Sequence, residues 1–503
     1  MKYGLSESQL QEIIAFISQY PEIEEAVLFG SRAIDTFKEA SDIDIALKGE
    51  FVNHGLAAKL KYNIEEDTYL PFFFDFVAYP TITNEDLKKH IDTKGVLIYR
   101  KGGPGISEWK EYCLGDLAEK IAMGPFGSNI KVETFKDSGI PIISGMHLHG
   151  IRLIDNNFNY ITKEHADKLI SSNVYRHDVI FTHAGTIGQV SYIPDTSRFK
   201  RYIISQRQFY LRCNPKKLDY KYITYFFKSP LGQHLIDANT NQTGVPSIAQ
   251  PVTFLKNAEV PIPPLAEQRA IAAVLSSLDD KIDLLHRQNK TLEAMAEALF
   301  RQWFVEEADE GWKEGTVADL IDFNPNRKLP KGTPAPYLGM ASLSISTFMP
   351  TDWCEREFSS GMKFMNGDTL IARITPCLEN GKTAFITFLK ENETGWGSTE
   401  YIIMRPKEPL HPFFAYILAR TKDFRDYAEG CLEGTSGRQR VNIDHLMIYP
   451  ISLPDKQTIE NFNSLARSIV PKLSQNAQQI RTLEKLRDTL LPKLMSGKVR
   501  VSV

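Results

Sequence analysis

Between Pro261 and about Trp303, apolar and small residues recur in alternating steps of four and three. They are Ile271, Leu275, Leu278, Ile282 and Leu285, then Asn289, Leu292, Ala296, Leu299 and Trp303. A heptad seam of this length predicts one long helix seeking a partner helix. Asn289 is its polar member and reads as a register-setting device. A second amphipathic stretch follows Pro450, with Phe462, Leu465, Ile469, Leu473, Ile480, Leu483, Leu490 and Leu494. Its spacing is less regular, and Pro471 predicts a kink or break. The two stretches share fixed points. Pro261-Ile262 answers Pro450-Ile451, Gln268 answers Gln457, and Thr291-Leu292-Glu293 answers Thr482-Leu483-Glu484. Pairing within the chain is the expectation; two unrelated helices, each packed on its own domain, is the alternative.

The regions ahead of the helices repeat as well. WKEYCLGDL at Trp109 returns as WKEGTVADL at Trp312. His177-Asp178-Val179-Ile180-Phe181 is answered by Gly367-Asp368-Thr369-Leu370-Ile371, and Ser205–Tyr210 by Ser398–Ile403. Both copies read as short apolar strands with glycine and asparagine turns. An aromatic helix at 219–229 is answered by His411–Arg420, and the loop TGVPSI, 243–248, by TSGRQRV, 435–441. Scaffold-like positions match while the polar residues between them differ, as two readers of different targets would require.

The first hundred residues have another pattern. Ser6, with Gln9 three residues on, predicts a capped helix. EEAVLFGSRA is an apolar strand running into Gly30-Ser31, where backbone N–H groups suit phosphate capture. SDIDIAL is a second strand: Asp42 and Asp44 project to one side while Ile43 and Ile45 enter the core. FFFDFVAY places Asp75 in an apolar strand, costly unless the acid is ligated or paired. Carboxylates so arranged suit divalent cations and in-line nucleotidyl transfer. The glycine-rich run at 102–108 is a flexible joint.

The chain has 503 residues, 42% hydrophobic and 24% charged, with formal net charge −3. That composition is globular, and its length predicts three or more domains. Near-neutral charge confines any nucleic-acid surface to local patches. Arg198, Lys200, Arg201, Arg207 and Arg212 form such a patch in the first copy, and Arg438, Gln439 and Arg440 in the second. The five cysteines lack paired spacing, which argues against zinc modules and disulfides and fits a reducing, cytoplasmic location. No run is long enough to span a membrane.

The ordered strings GSRA, SDID and an isolated strand aspartate resemble the minimal nucleotidyltransferases of the polymerase-beta superfold, often found as antitoxins. The resemblance implies Asp42, Asp44 and Asp75 as catalytic metal ligands, with Asp75 also a candidate base. It implies Gly30 and Ser31 at the triphosphate, Mg2+ and a nucleoside triphosphate, ATP first, as cofactors, and a toxin-like protein as a candidate substrate. That family has a glycine where this sequence has Asp35. From about 109 to 500, GPFGSNIK, GIPIISG, TIGQV, ISQ and above all PIPPLAEQRAI resemble the specificity subunit of type I restriction-modification systems. The implied fold is α+β and multidomain. A nucleotidyltransferase domain occupies 1–101, a linker 102–108, one target recognition domain 109–260 and a spacer helix 261–306. A second recognition domain occupies 307–449 and a second, antiparallel spacer helix 450–503. The implied partners are double-stranded DNA read as a bipartite site, two methyltransferase subunits and restriction-translocase subunits. This part would be non-catalytic: Asn380-Gly381-Lys382-Thr383 lacks the first glycine of a P-loop. Two other readings stay open. One is a protein-adenylylating enzyme merely localised to DNA by the repeats, the other a degenerate nucleotide sensor.

Overall fold

The computed structural model describes residues 3–34, 36–38, 41–68, 70–100, 109–125, 129–241, 244–309, 311–434 and 438–501. The expected linker at 102–108, Asp35, the middle of GPFGSNIK, and the opening residues of TGVPSI and TSGRQRV lie outside these. The chain divides into two compact units, Met1–Leu275 with Asp488–Val503, and Ser276–Arg487.

In the N-terminal fold, Ser6 and Gln9 cap the helix Glu7–Ile17 reciprocally, with bonds of 3.2 and 2.9 Å. Four strands pair in the order Phe74–Ala78, Ile43–Lys48, Glu25–Phe29, Val96–Arg100. One face buries Leu28, Ile43, Ile45, Leu47, Phe74 and Phe76 with Ile13, Ile17, Leu60 and Ile64 of two helices. On the opposite face Val27, Phe29 and Ala46 pack on Ile91 of the helix Glu85–Lys94. The carboxylates ride on this second face, because side chains alternate along a strand.

The two reading copies have the same architecture. In the first, one sheet runs Val190–Tyr192, Val179–Thr182, Gln208–Cys213, Ala118–Met123; in the second the order is Thr383–Phe385, Thr369–Ala372, Tyr401–Pro406, Ile321–Phe323. A further sheet in each has one parallel pairing, Ile140–Ile143 with Tyr202–Ile204 and Pro334–Leu338 with Gly395–Gly397. Each copy then has two short helices, Tyr220–Lys228 and Pro230–Ala238 against Phe413–Arg420 and Lys422–Gly430. The aromatic members of the first of these, Tyr222, Phe226 and Phe227 in one copy and Phe413, Phe414 and Tyr416 in the other, fill the cores.

The long helices span Leu265–Arg301 and Lys456–Met495. Their antiparallel pairing is shown inside the unit Ser276–Arg487. Within Ser276–Arg487, Asp279 meets Arg487 at 2.9 Å, while ten residues further along Asn289 meets Asn476 at 2.9 Å. Ile282, Leu285 and Ile480 form the apolar seam between them. Within the other unit, Ile271, Ala272 and Leu275 share the first copy's core with Leu494 and Met495.

Four expectations are corrected. Pro261-Ile262 is not helical: it ends a strand, Glu259–Ile262, paired with Lys110–Cys113, and Pro450–Ser452 pairs likewise with Glu314–Thr316. Pro471 does not break the second helix, because Phe462, Ala466, Ile469 and Leu473 are buried on both sides of it. The buried stripe of the first helix drifts by one residue: past Asn289 the fully buried positions are Glu293, Ala296, Phe300 and Phe304, whereas Leu292, Leu299 and Trp303 are half-buried. A helix of 3.6 residues per turn slips against a 3.5 repeat. Finally, the counterpart of Gln268 is Asn463. Gln268 accepts the Asp219 N–H at 2.8 Å, and Asn463 accepts that of His411 at 2.7 Å, each pinning the entry of the aromatic helix. Gln457 is exposed.

Candidate functional site

Asp44 and Asp75 are direct cross-strand neighbours in the parallel pair, and Asp42 immediately precedes Asp44's strand. Asp44 is half-buried and Asp75 exposed. Burial first, then Asp75 and Asp42, hold the Asp44 carboxyl above its usual range, with Arg32 opposing. Gly30 opens a single helical turn, Gly30–Ala33, at φ +70°, and a Cβ there would lie 2.2 Å from Oδ2 of Asp44. Only glycine lets this turn lie against the carboxylate. Ser31 is half-buried in the same turn.

Sequence reasoning missed Arg32, which is 1% exposed. Its guanidinium lies between the rings of Phe37 and Phe72, 5.2 and 5.1 Å from their centroids. It donates to the carbonyls of Ser41 at 2.6 Å, Asp42 at 3.1 Å and Tyr3 at 3.1 Å. A buried guanidinium so satisfied fixes the approach to Asp42 and Asp44. Among the described residues no group of three or more His, Cys, Asp and Glu side chains is spaced to hold a metal ion. The three aspartates share a locality but are not a closed ligand cage.

In the first reading copy, three segments meet at one end of the two central strands of the sheet. His183 donates its backbone N–H to Arg207 O at 2.9 Å, Gly185 to Pro246 O at 3.1 Å, and Ile248 to His183 O at 2.9 Å. The second copy reproduces the set: Arg373 to Glu400 O at 2.9 Å, Thr375 to Gln439 O at 3.0 Å, and Val441 to Arg373 O at 2.8 Å. Isolated bridges Ala184–Ser247 and Ile374–Arg440 complete the match. The loops singled out by sequence thus converge, and on one backbone frame they carry different side chains.

Not every expected basic residue is free for a ligand. Arg212 grips Asp178, which is 1% exposed, with bonds of 2.8 and 2.6 Å. Its counterpart Arg405 grips the fully buried Asp368 at 2.6 Å, with Arg327 adding a second guanidinium at 2.9 Å. These are framework ion pairs, correcting the assignment of Arg212 to the DNA surface. Arg201 is tied to Asp167 at 2.7 Å and to Asn173. Arg198 is exposed, over Phe199 and against the Asp155 carbonyl at 3.5 Å; Lys200, Arg207 and Arg438 are also exposed. The Gln439 backbone N–H bonds Thr375 Oγ1 at 3.1 Å, and Arg440 grips Glu400 with both Nε and Nη2, at 3.0 and 2.7 Å.

Residues 106–294 match the family described as Type I restriction modification DNA specificity domain, and residues 11–102 match Polymerase beta, Nucleotidyltransferase. The chain is similar to the type I restriction enzyme MjaIX specificity subunit of Methanocaldococcus jannaschii, 25% identical across 56% of this chain and 69% of that protein. It is also similar to the HindI specificity subunit of Haemophilus influenzae, 20% identical across 78% of this chain and all of that one. A solved type I restriction-modification S subunit from M. genitalium aligns over 78% of this chain and 97% of its own, at 19% identity and TM-score 0.49. The family match covers the first reading copy and much of the first long helix; sheet order and register tie the second copy to the first. Among the described residues no helix is long and apolar enough to cross a membrane.

Proposed function

We propose that this chain is a type I restriction-modification specificity subunit carrying a nucleotidyltransferase domain ahead of it, and that it reads a bipartite DNA sequence. Residues 109–260 take one half-site and 307–449 the other, with the helices of 261–306 and 450–503 setting their separation. The observation that carries this is the duplicated junction: one set of backbone bonds presents His183, Arg207 and Ser247 in one copy and Arg373, Glu400 and Arg440 in the other. Base readout needs polar side chains on a rigid frame, and phosphate contacts add affinity that falls with salt. The reading part would act by positioning two methyltransferase subunits and the restriction-translocase subunits, which bring S-adenosylmethionine, ATP and magnesium. Single-molecule methylation sequencing of a host producing this chain with a type I methyltransferase subunit should reveal methylated adenine in one two-part site. Methylation without sequence preference rules the reading out.

For the N-terminal domain the proposed reaction is nucleotidyl transfer from a nucleoside triphosphate, ATP first, to a protein hydroxyl. The residue types suit the cofactors, although the three carboxylates do not form a closed cage. Asp42, Asp44 and Asp75 offer carboxylate oxygens, the kind Mg2+ takes, and the missing Cβ of Gly30 lets the Asp44 carboxylate lie directly against the Gly30–Ala33 turn. Magnesium held there would neutralise charge on the triphosphate. Gly30 and Ser31 would offer backbone N–H groups to the phosphates. Asp75, the exposed carboxylate of the cross-strand pair, would take the acceptor hydroxyl's proton as its oxygen bonds the α-phosphorus and pyrophosphate leaves. With labelled ATP and magnesium, wild type should label its acceptor and Asp42→Asn/Asp44→Asn should not. Equal labelling defeats the enzyme reading, and nucleotide binding without transfer turns it into a sensor.

A further inference from the structure

The duplicated junction allows a comparison inside one molecule. In each copy the carbonyl of the residue before the central strand, 207 or 400, accepts the backbone N–H of the same loop, and across from it stands residue 247 or 440. In the second copy Glu400 and Arg440 form a forked pair: Arg440 Nε lies 3.0 Å from both carboxylate oxygens, and Nη2 lies 2.7 Å from Oε1. That pair uses one edge of the guanidinium and leaves the Nη1 side of the fork unused among the described residues. In the first copy the charge has changed sides. Ser247 stands where Arg440 does, and Arg207 stands where Glu400 does. Arg207 is exposed, with Nη1 3.5 Å from where a Cβ on Gly185 would be. No carboxylate pairs with it among the described residues. Each junction therefore carries an exposed guanidinium on a pinned backbone, although the two come from different segments; Arg373, also at the second junction, is half-buried and donates to Val441 O at 3.3 Å.

We propose that each reading domain recognises one guanine of its half-site through this guanidinium, Arg207 in the first copy and Arg440 in the second, with Glu400 as the positioning residue for Arg440. The proposal rests on the reading of this chain as a two-site DNA reader. The chemistry is the planar fork of N–H donors, which matches the O6 and N7 acceptors of guanine in the major groove. A lysine would supply the charge without the fork.

The test is selection of duplexes from a randomised pool by the full-length chain, followed by sequencing and by binding to individual duplexes over a salt series. Wild type should enrich a two-part sequence with a guanine in each part. Arg207→Ala should flatten one guanine position of one half only, its roughly 5- to 100-fold preference falling towards parity, with the other half unchanged. Arg207→Lys should restore affinity and not the preference. Glu400→Gln keeps the shape of the pair and the cation of Arg440. It should weaken the guanine preference of the other half while leaving the salt slope unchanged. Uniform weakening in Arg207→Ala with an unaltered sequence preference would mean a phosphate contact and overturn the proposal, as would a Glu400→Gln chain with wild-type preference. A wild-type chain that enriches no sequence at all would instead sink the underlying DNA-reader assignment.

Discussion

Replacing Asn289 by leucine probes how the paired helices are registered. Asn289 is 7% exposed and Asn476 fully buried; Asn476 Nδ2 donates to Asn289 Oδ1 at 2.9 Å, and Asn289 Nδ2 reaches Leu473 O at 3.4 Å. Oδ1 of Asn476 has no partner. Asn289→Leu leaves Asn476 only a long contact to Gln288, at 3.4 Å. An unsatisfied buried amide costs about 1–3 kcal/mol, and the leucine's added apolar surface returns about 1 kcal/mol of it. The single variant should therefore open more easily than wild type by about 1 kcal/mol. Asn289→Leu/Asn476→Leu removes every orphaned group at once and should be more stable than wild type, since buried polar seam residues confer register at a cost in stability. Hydrogen exchange at amides of both helices, measured on the full chain, reads these local opening energies. A coupling energy of at least ~1 kcal/mol in the double-mutant cycle is expected for residues in contact. Additive single effects would refute the claim that the two amides act as one device.

The other consequences are sharper when the two copies are compared. Arg212→Met should destabilise its unit by roughly 3–5 kcal/mol by leaving Asp178 buried without a counter-charge, whereas Arg405→Met should cost less because Arg327 still reaches Asp368 at 2.9 Å; denaturant unfolding of both variants checks the order. Gly30→Ala should destabilise the N-terminal fold by about 1–3 kcal/mol, since φ +70° and the 2.2 Å approach to Asp44 are both closed to a Cβ; limited proteolysis within residues 1–100 reports it. Burial raises the Glu293 carboxyl above its usual range, against the Tyr416 hydroxyl at 2.6 Å and Arg420 at 3.6 Å. With the folded value above the unfolded one, the stability it contributes is present at acid pH and lost as pH rises through the folded value. Glu293→Gln should thus gain in Tm over wild type as pH rises from 4 to 8, and parallel pH profiles would contradict the assignment.

The frame of the molecule is legible in the chain because it is local and repeated. Strand strings, turn glycines and the aromatic helix each signal their own conformation, and the second copy states them again. Side-chain pairings are not legible, since they depend on register between distant segments. Arg212 has the local look of a base reader; only the strand pairing that sets Leu211 opposite Val179 brings it to Asp178. Arg32 sits in plain view in GSRA, yet nothing near it in sequence says that its guanidinium turns inward between Phe37 and Phe72. The seam drifts past Asn289 because Glu293, Phe300 and Phe304 there meet Tyr416, Phe414 and Phe462 of the second copy's core and helix, a surface no heptad count contains. Duplication then supplies the control that a lone domain lacks. Asp178–Arg212 returns as Asp368–Arg405, and the left-handed His177 returns as Gly367 at φ +84°, so these residues build the frame. Arg207 facing Ser247 becomes Glu400 facing Arg440 on an unchanged backbone, so identity at these positions is free of the fold's demands and open to selection by a ligand.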